Sequence, residues 1–419
     1  MKILLVVFAT AITILLILNL AGGEKRVRRK LPHHGAIEKE QLLREMSTML
    51  GPTIVQGNRI TALQNGDEIF PAMLSAIAAA QRTITFETYI YWSGEIGRQF
   101  AEALEARARA GVKVHVILDW AGSAKADASV LKQMEQSGVE VKRFHPLSWY
   151  HLARMNNRTH RKLLVVDGRI GFTGGVGIAD VWSGAGQDPE HWRDSHYQFE
   201  GPVVAQAQAV FLDNWIKSTG AVLRGDGYFP ELAPVGDTPA QLFASSPTGG
   251  SESMQLMTLM ALASAERSID LAAAYFVPDR LALDALLEAR RRGVAVRIIV
   301  PGKHIDSKVV RWASKRSWGE LLAAGAEIHE FGPTMFHCKG LIVDRWMVSV
   351  GSTNFDQRSF ALNSEASLNV YDAGVGEALA RAFERDLTLA RRVTLEEWQR
   401  RPWTQRLREQ LIRPFESQL

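Results

Sequence analysis

The chain has 419 residues, 46% of them hydrophobic, which is enough for two or three ordinary domains with sizeable cores and too apolar for a disordered protein. Its 49 Lys and Arg against 45 Asp and Glu leave a net charge of only +4, a hint of an anionic partner that does not name it. The single cysteine, Cys338, excludes an intramolecular disulfide and any cysteine-based metal site.

Ile3 to Ala21 is apolar but for Thr10, Thr13 and Asn19, long enough as a helix to cross a hydrocarbon core of about 30 Å. The competing reading, a cleaved signal peptide, finds only Lys2 before the span and no A-x-A site, whereas Lys25, Arg26, Arg28, Arg29 and Lys30 cluster after it. That asymmetry predicts an uncleaved single-pass anchor and basic flank over residues 1–30, with the body on the cytoplasmic side.

From residue 50 onward the chain repeats itself. QRTITFETYIYW (81–92) answers to ERSIDLAAAYFV (266–277), each an apolar strand after a polar, Arg-containing helix end. AEALEARARAGVKVHVILD (101–119) answers to LALDALLEARRRGVAVRIIVP (281–301), each an amphipathic helix stopped at Gly111 or Gly293 and followed by a β-branched strand. SGVEVKRFHP (137–146) then matches AGAEIHEFGP (324–333), with Phe144 and Phe331 in register. The alternation predicts an α/β layer fold in two similar lobes, 50–225 and 251–393. A Gly- and Pro-rich linker over 226–250 separates them, and an approximate two-fold brings equivalent strands together.

Each lobe contains His-x-Lys, an apolar run, an Asp five places after the Lys, and a small-residue turn: NRTHRKLLVVDGRIGFTGG (157–175) and FHCKGLIVDRWMVSVGS (336–352). Residues two apart on a strand share a face, so His160 and Lys162 point one way, as do His337 and Lys339, while Cys338 faces away as a packing residue. Two such pairs converging form a phosphate-sized cationic cage. One imidazole can attack phosphorus, the other can protonate the leaving oxygen, and the lysines neutralise the equatorial oxygens, so that no metal or other cofactor is needed. Gly174 and Gly175 of TGG, with Ser352 and Asn354 of GSTN, are expected to bring backbone N–H groups and an amide up to the phosphate. A lone His-x-Lys-x4-Asp arises by chance, and two copies at the same place in a repeat are hard to explain as surface strands. Burying two lysines beside two histidines for structure alone costs stability.

At these residues the chain resembles the phospholipase D superfamily, whose signature is H-x-K-x4-D followed by G-[GS]-x-N, over essentially residues 50–390. Within it the chain is most similar to bacterial cardiolipin synthases, through its N-terminal apolar segment, WRDSHYQFEGPVV (192–204) and GSTNFDQRSFALNSEASL (351–368). The resemblance implies two phospholipase D-like α-β-α lobes with the active site between them, a phosphatidyl-histidine intermediate, and conversion of two phosphatidylglycerols to cardiolipin and glycerol at the bacterial inner membrane. It implies His160 and His337 as nucleophile and general acid, with the lean toward His160 as nucleophile, and Lys162, Lys339 and Asn354 on the phosphate. Glu365, 28 residues after His337, matches the acidic residue that orients the histidine, and Asp194 is its counterpart in the first lobe. Asp167 and Asp344 complete the catalytic motifs and, at strand ends, suit anchoring of the following turn better than proton transfer. The first motif departs from the pattern: GGVG puts Gly177 where Asn belongs, so the half-sites are not equivalent.

The same chemistry serves a phospholipase D releasing phosphatidic acid, a superfamily nuclease, or a decayed lipid-binding scaffold. The apolar span and near-neutral charge favour a phospholipid partner over nucleic acid. Tyr89, Tyr91 and Tyr275, at strand ends, are candidates for substrate contact. His33, His34, His115 and His191 have no metal-ligand spacing. The tail, 394–419, mixes Trp398, Trp403, Leu407, Leu411 and Phe415 with arginines; it reads either as an interfacial segment on anionic lipid or as a terminal helix packed on the second lobe.

Overall fold

The computed structural model describes residues 2, 6–8, 10–14, 27–31, 33, 39–146, 156–247 and 252–418. The first half supplies β1 (Val55–Gln64), β2 (Thr83–Thr88), β3 (Lys113–Asp119), β4 (Glu140–Phe144), β5 (Arg158–Thr159), β6 (Leu163–Val166), β7 (Ile170–Gly174) and β8 (Ser195–Glu200). The second supplies β9 (Thr238–Ser245), β10 (Ser268–Ala273), β11 (Phe276–Val277), β12 (Ala295–Pro301), β13 (Glu327–Phe331), β14 (Lys339–Val343), β15 (Met347–Gly351), β16 (Phe355–Asp356), β17 (Asn363–Tyr371) and β18 (Ala390–Val393).

In space the strands run β4-β3-β2-β6-β7-β8-β1 and continue as β9-β17-β15-β14-β10-β12-β13-β18. Apart from β18 this order reads the same from both ends. β1 answers to β9, β2 to β10, β3 to β12, β4 to β13, β6 to β14, β7 to β15 and β8 to β17. Parallel β2-β3-β4 and β10-β12-β13 reflect the helical crossovers between them, and the hairpin strands that follow are antiparallel. The lobes meet where β1 pairs with β9, so the two half-sheets form one 16-stranded sheet with β5 attached beside β17.

Alternation along the strands divides the core. Leu164, Val166, Val114 and Val116 face the helices Asn65–Ala79, Glu95–Arg109 and Ala128–Gln136. Leu341 and Val343 face the corresponding helices of the second half. Leu163, Val165, Ile342, Val348 and Leu368 point to the other side, where helices Val203–Thr219 and Ala373–Thr388 cover a core shared by both halves. Gly111 and Gly293 each take φ +90° just after a helix, the left-handed turn for which glycine is suited.

One expectation changes. Thr238–Ser245, read as linker, is a strand, because Leu242 faces the shared core and Gln241 hydrogen-bonds the carbonyl of Met46 on the other side, a period-2 alternation flanked by prolines. No helix among the described residues is long and apolar enough to cross a membrane. Much of the stretch Ile3 to Ala21 lies outside the described residues; positions 6–8 and 10–14 are helical and exposed.

Candidate active site

The two histidine segments are held by strands of the opposite half. The N–H of His160 donates to the carbonyl of Ser364 at 2.9 Å, extending the pairing of β5 with β17. The N–H of His337 donates to the carbonyl of Arg193 at 2.8 Å, and that of Arg193 to Met335 at 3.0 Å. Each histidine therefore lies beside the segment that carries the other half's carboxylate, β17 for Glu365 and the residues just before β8 for Asp194.

The side chains follow. His160 Nδ1 lies 3.0 Å from both oxygens of Glu365, and His337 Nδ1 lies 2.7 Å from Oδ2 of Asp194. The family resemblance implied one histidine-orienting carboxylate in each lobe, Glu365 and Asp194; in the structure each serves the histidine of the other lobe. Both carboxylates are fully buried. Burial alone would raise their pKa values. For Glu365 it is outweighed by His160, Lys162 and the Ser352 hydroxyl, and for Asp194 by His337 and Lys339, so both stay below the usual carboxylate range. An Nδ1–H donated to each carboxylate leaves Nε2 with the lone pair.

Burial lowers the pKa of His160 to about 4 against the attraction of Glu365, and burial with Lys339 beside it lowers that of His337. Lys339 Nζ sits 3.1 Å from both ring nitrogens of His337 and 2.7 Å from its carbonyl; Lys162 Nζ bonds the His160 carbonyl at 2.9 Å. Burial, then mutual repulsion with Lys339, brings Lys162 down to about 7, and burial lowers Lys339 as well. Four cationic groups compressed together resist charging until an anion arrives.

The motif aspartates hold backbone. Asp167 accepts from the N–H groups of Gln81, Arg82 and Thr83, and Asp344 from those of Glu266, Arg267 and Ser268, each at 2.7 to 2.9 Å. Each thereby anchors the start of β2 or β10 rather than the turn after its own strand. Both aspartates take positive φ, 52° and 50°, to reach.

Of the expected phosphate contacts, Asn354 lines the cavity, buried, its Oδ1 without a protein partner. Gly174, Gly175 and Ser352 do not line it. The N–H of Gly175 donates to Ser195 and that of Ser352 to Ala366, so these donors are consumed by the sheet. Their small side chains support the carboxylates instead: the Ser352 hydroxyl donates to Glu365 at 2.5 Å, and a Cβ on Gly175 would collide with Asp194.

The departure at Gly177 is filled by an aromatic ring. A Cβ there would lie 2.8 Å from Ile90 Cβ and 3.1 Å from the Trp182 ring. Trp182 is fully buried and donates its indole N–H to Asp194 Oδ2 at 3.0 Å, the oxygen that holds His337. Its ring centroid is 5.4 Å from the imidazole. The one sequence signal for this role was Gly177 in place of Asn.

His160, Lys162, His337 and Asn354 line one cavity of about 540 Å³ together with Tyr89, Tyr275, Trp92, Trp182 and Trp192. Its rim adds Lys125, Arg158, Arg358, Asp306 and Asp356, which sequence reading did not single out. Burial raises Asp356 to about 7. Tyr91 is excluded from the cavity: its hydroxyl is buried on the Gly97 carbonyl. Cys338 is buried in the shared core beside Ser195, its thiol pushed up to about 12 by burial.

Two histidines backed by crossed carboxylates, with Lys162 and a buried amide beside them in one cavity and Lys339 packed against His337, make up a phospholipase D-like site. The family described as "Cardiolipin synthase, PLD-like domain" matches residues 73–181 and 259–387, one copy in each lobe. A cardiolipin synthase of Geobacillus kaustophilus is 35% identical over 359 residues, 85% of this chain and 71% of that one. The major cardiolipin synthase of Bacillus subtilis is 32% identical over 361 residues, 85% of this chain and 75% of that protein. The crystal structure of phosphatidylserine synthase from Haemophilus influenzae superposes with a TM-score of 0.70 over 90% of this chain and 100% of that one, at 14% identity, which shows a shared fold. The chain belongs to the cardiolipin synthase family of the phospholipase D superfamily, and it is a phosphatidyltransferase.

Proposed function

We propose that the protein joins two molecules of phosphatidylglycerol into cardiolipin and glycerol by way of a phosphatidyl-histidine at His160. The observation that carries this reading is the single cavity in which both histidines are held by the other half's carboxylate, in a chain of this family. His160 is neutral at pH 7, so its Nε2 lone pair attacks phosphorus. The P–N bond forms as the P–O bond to glycerol breaks, and His337, which takes up a proton once the substrate phosphate offsets the neighbouring lysines and whose imidazolium Asp194 stabilises, gives the leaving oxygen that proton. Lys162 and Lys339 compensate the charge on the equatorial oxygens. The hydroxyl of a second phosphatidylglycerol then passes its proton to His337 as its oxygen attacks the phosphatidyl-histidine, which frees His160.

Arg158, whose Nη1 is buried without a protein partner, and Arg358, which lines the same cavity, support a site for the second headgroup phosphate. Water in that place would yield phosphatidic acid. The apolar segment Ile3 to Ala21 and its basic flank support a single-pass anchor in the bacterial cell membrane with the catalytic body cytoplasmic. A reporter fused after Leu419 that works only outside the cytoplasm would overturn that orientation.

The test is a product assay on purified full-length protein with labelled phosphatidylglycerol, resolved by mass. Cardiolipin with glycerol is the expected pair; phosphatidic acid alone would make the enzyme a hydrolase.

A further inference from the structure

The C-terminal helix Trp403–Ile412, continued by a 3-10 turn over Arg413–Gln418, lies on the second half with its polarity reversed. Its charged side is inside. Glu409 is only 2% exposed and receives Arg401 at 2.9 Å and Gln405 at 2.9 Å; Glu416 pairs with Arg316 at 2.6 Å, and Arg408 lies over the Trp312 ring. Its apolar side is outside. Trp403, Leu407, Leu411 and Phe415 are 74%, 50%, 65% and 58% exposed, and their spacing of four puts the helical ones on one stripe. Arg406 and Arg413 flank the stripe, both exposed.

A helix docked by its ions with its apolar stripe outward is unfavourable in water, since several large side chains keep their hydration cost. It becomes favourable at an interface that takes both the stripe and the arginines. Two residues beyond the last of these arginines, Phe415 is exposed, and Gln418 at the end of the same turn lines the catalytic cavity. The stripe therefore leads to the place where substrate enters.

We infer that Trp403, Leu407, Leu411 and Phe415 form a membrane-docking face that sinks into an anionic phospholipid bilayer and holds the cavity mouth against it. The choice of bilayer over a protein partner follows from the aromatic and aliphatic stripe edged by arginines, which complements acyl chains below an anionic headgroup layer. The inference rests on the proposed lipid substrate for its purpose, not for its geometry.

The full chain carrying Leu411→Cys labelled with an environment-sensitive fluorophore tests it, because the only native thiol, Cys338, is buried. Vesicles of phosphatidylglycerol and phosphatidylcholine should shift the emission to the blue and raise it several-fold, while the label at exposed Gln136→Cys stays unchanged. The paired substitution Leu407→Asp with Leu411→Asp should lower turnover of phosphatidylglycerol in vesicles by about tenfold or more and leave turnover of a short-chain, monomeric phosphatidylglycerol near wild type. No emission change with vesicles, emission already blue in buffer because a second copy covers the stripe, or undiminished vesicle turnover in the paired variant would each overturn the docking face. If the label responds but wild type makes no cardiolipin from either substrate, the docking face stands and the proposed reaction falls.

Discussion

Asp194 Oδ2, in the first half, lies 2.7 Å from Nδ1 of His337, in the second, and Trp182 Nε1 donates to the same oxygen at 3.0 Å. In the proposed reaction His337 gives up a proton and takes one back, and so depends on a carboxylate reached only when the halves are joined. Asp194→Asn keeps an oxygen for the indole and weakens the hold on imidazolium. Steady-state turnover should fall on the order of 100-fold or more with the fold retained. Turnover within a few-fold of wild type would show that the crossed pair does not act on His337.

Gly177→Asn restores the family pattern and should harm the protein. The new side chain meets Ile90 and the Trp182 ring in a filled space, an overpacking cost of about 1–3 kcal/mol. Denaturant unfolding should report it, with turnover falling because Trp182 is displaced from Asp194. A variant as stable and active as wild type would mean that the ring does not occupy the Asn site.

Asp167→Ala and Asp344→Ala each remove an acceptor of three backbone N–H groups. The loss should be at least about 3 kcal/mol of stability by denaturant titration, with turnover per folded molecule close to wild type. Full stability with abolished turnover would return these residues to proton transfer.

Stability should fall with acid in a window set by buried histidines. The unfolded chain binds protons on them below 6.5, whereas the folded chain resists until about 4 at His160 and about 3 at His196, which is fully buried with neither ring nitrogen hydrogen-bonded. Protons then favour the unfolded state, so stability is full above 6.5 and is lost as pH falls toward 4. His196→Leu should flatten part of that slope in thermal unfolding scans; an unchanged slope would remove His196 from the account.

Anion binding should draw in a proton. Lys162 stands at about 7 in the free enzyme because of burial and Lys339, and a phosphate between the two lysines favours the charged form. Calorimetry of glycerol phosphate binding at pH 8, in two buffers of different ionisation enthalpy, should show net proton uptake. Release, or no exchange, would contradict the cage.

The repeat, the alternation along each motif strand and the His-x-Lys pairs were legible because they depend on local spacing: Lys162, Leu164 and Val166 share a face in any strand. The exchange of carboxylates was not legible. Glu365 is near His337 in sequence, and only the backbone bonds His160–Ser364 and His337–Arg193, made after the halves meet, carry each acid to the other histidine. β9 was hidden among prolines, and Trp182 by a glycine whose meaning depends on what fills the space beside it. The reversed tail helix was ambiguous because composition alone does not say which face is docked.

In the proposed reaction His160 carries the phosphatidyl group while His337 moves the proton. A phosphatidyl ester with a p-nitrophenol leaving group needs no general acid in the first step, so His337→Ala should form the covalent intermediate from it and then stall for lack of a base. Peptide mass mapping after a basic quench should place one phosphatidyl group on His160. A phosphatidyl group on any residue other than His160, or release of p-nitrophenol with no adduct at any residue, would contradict the account.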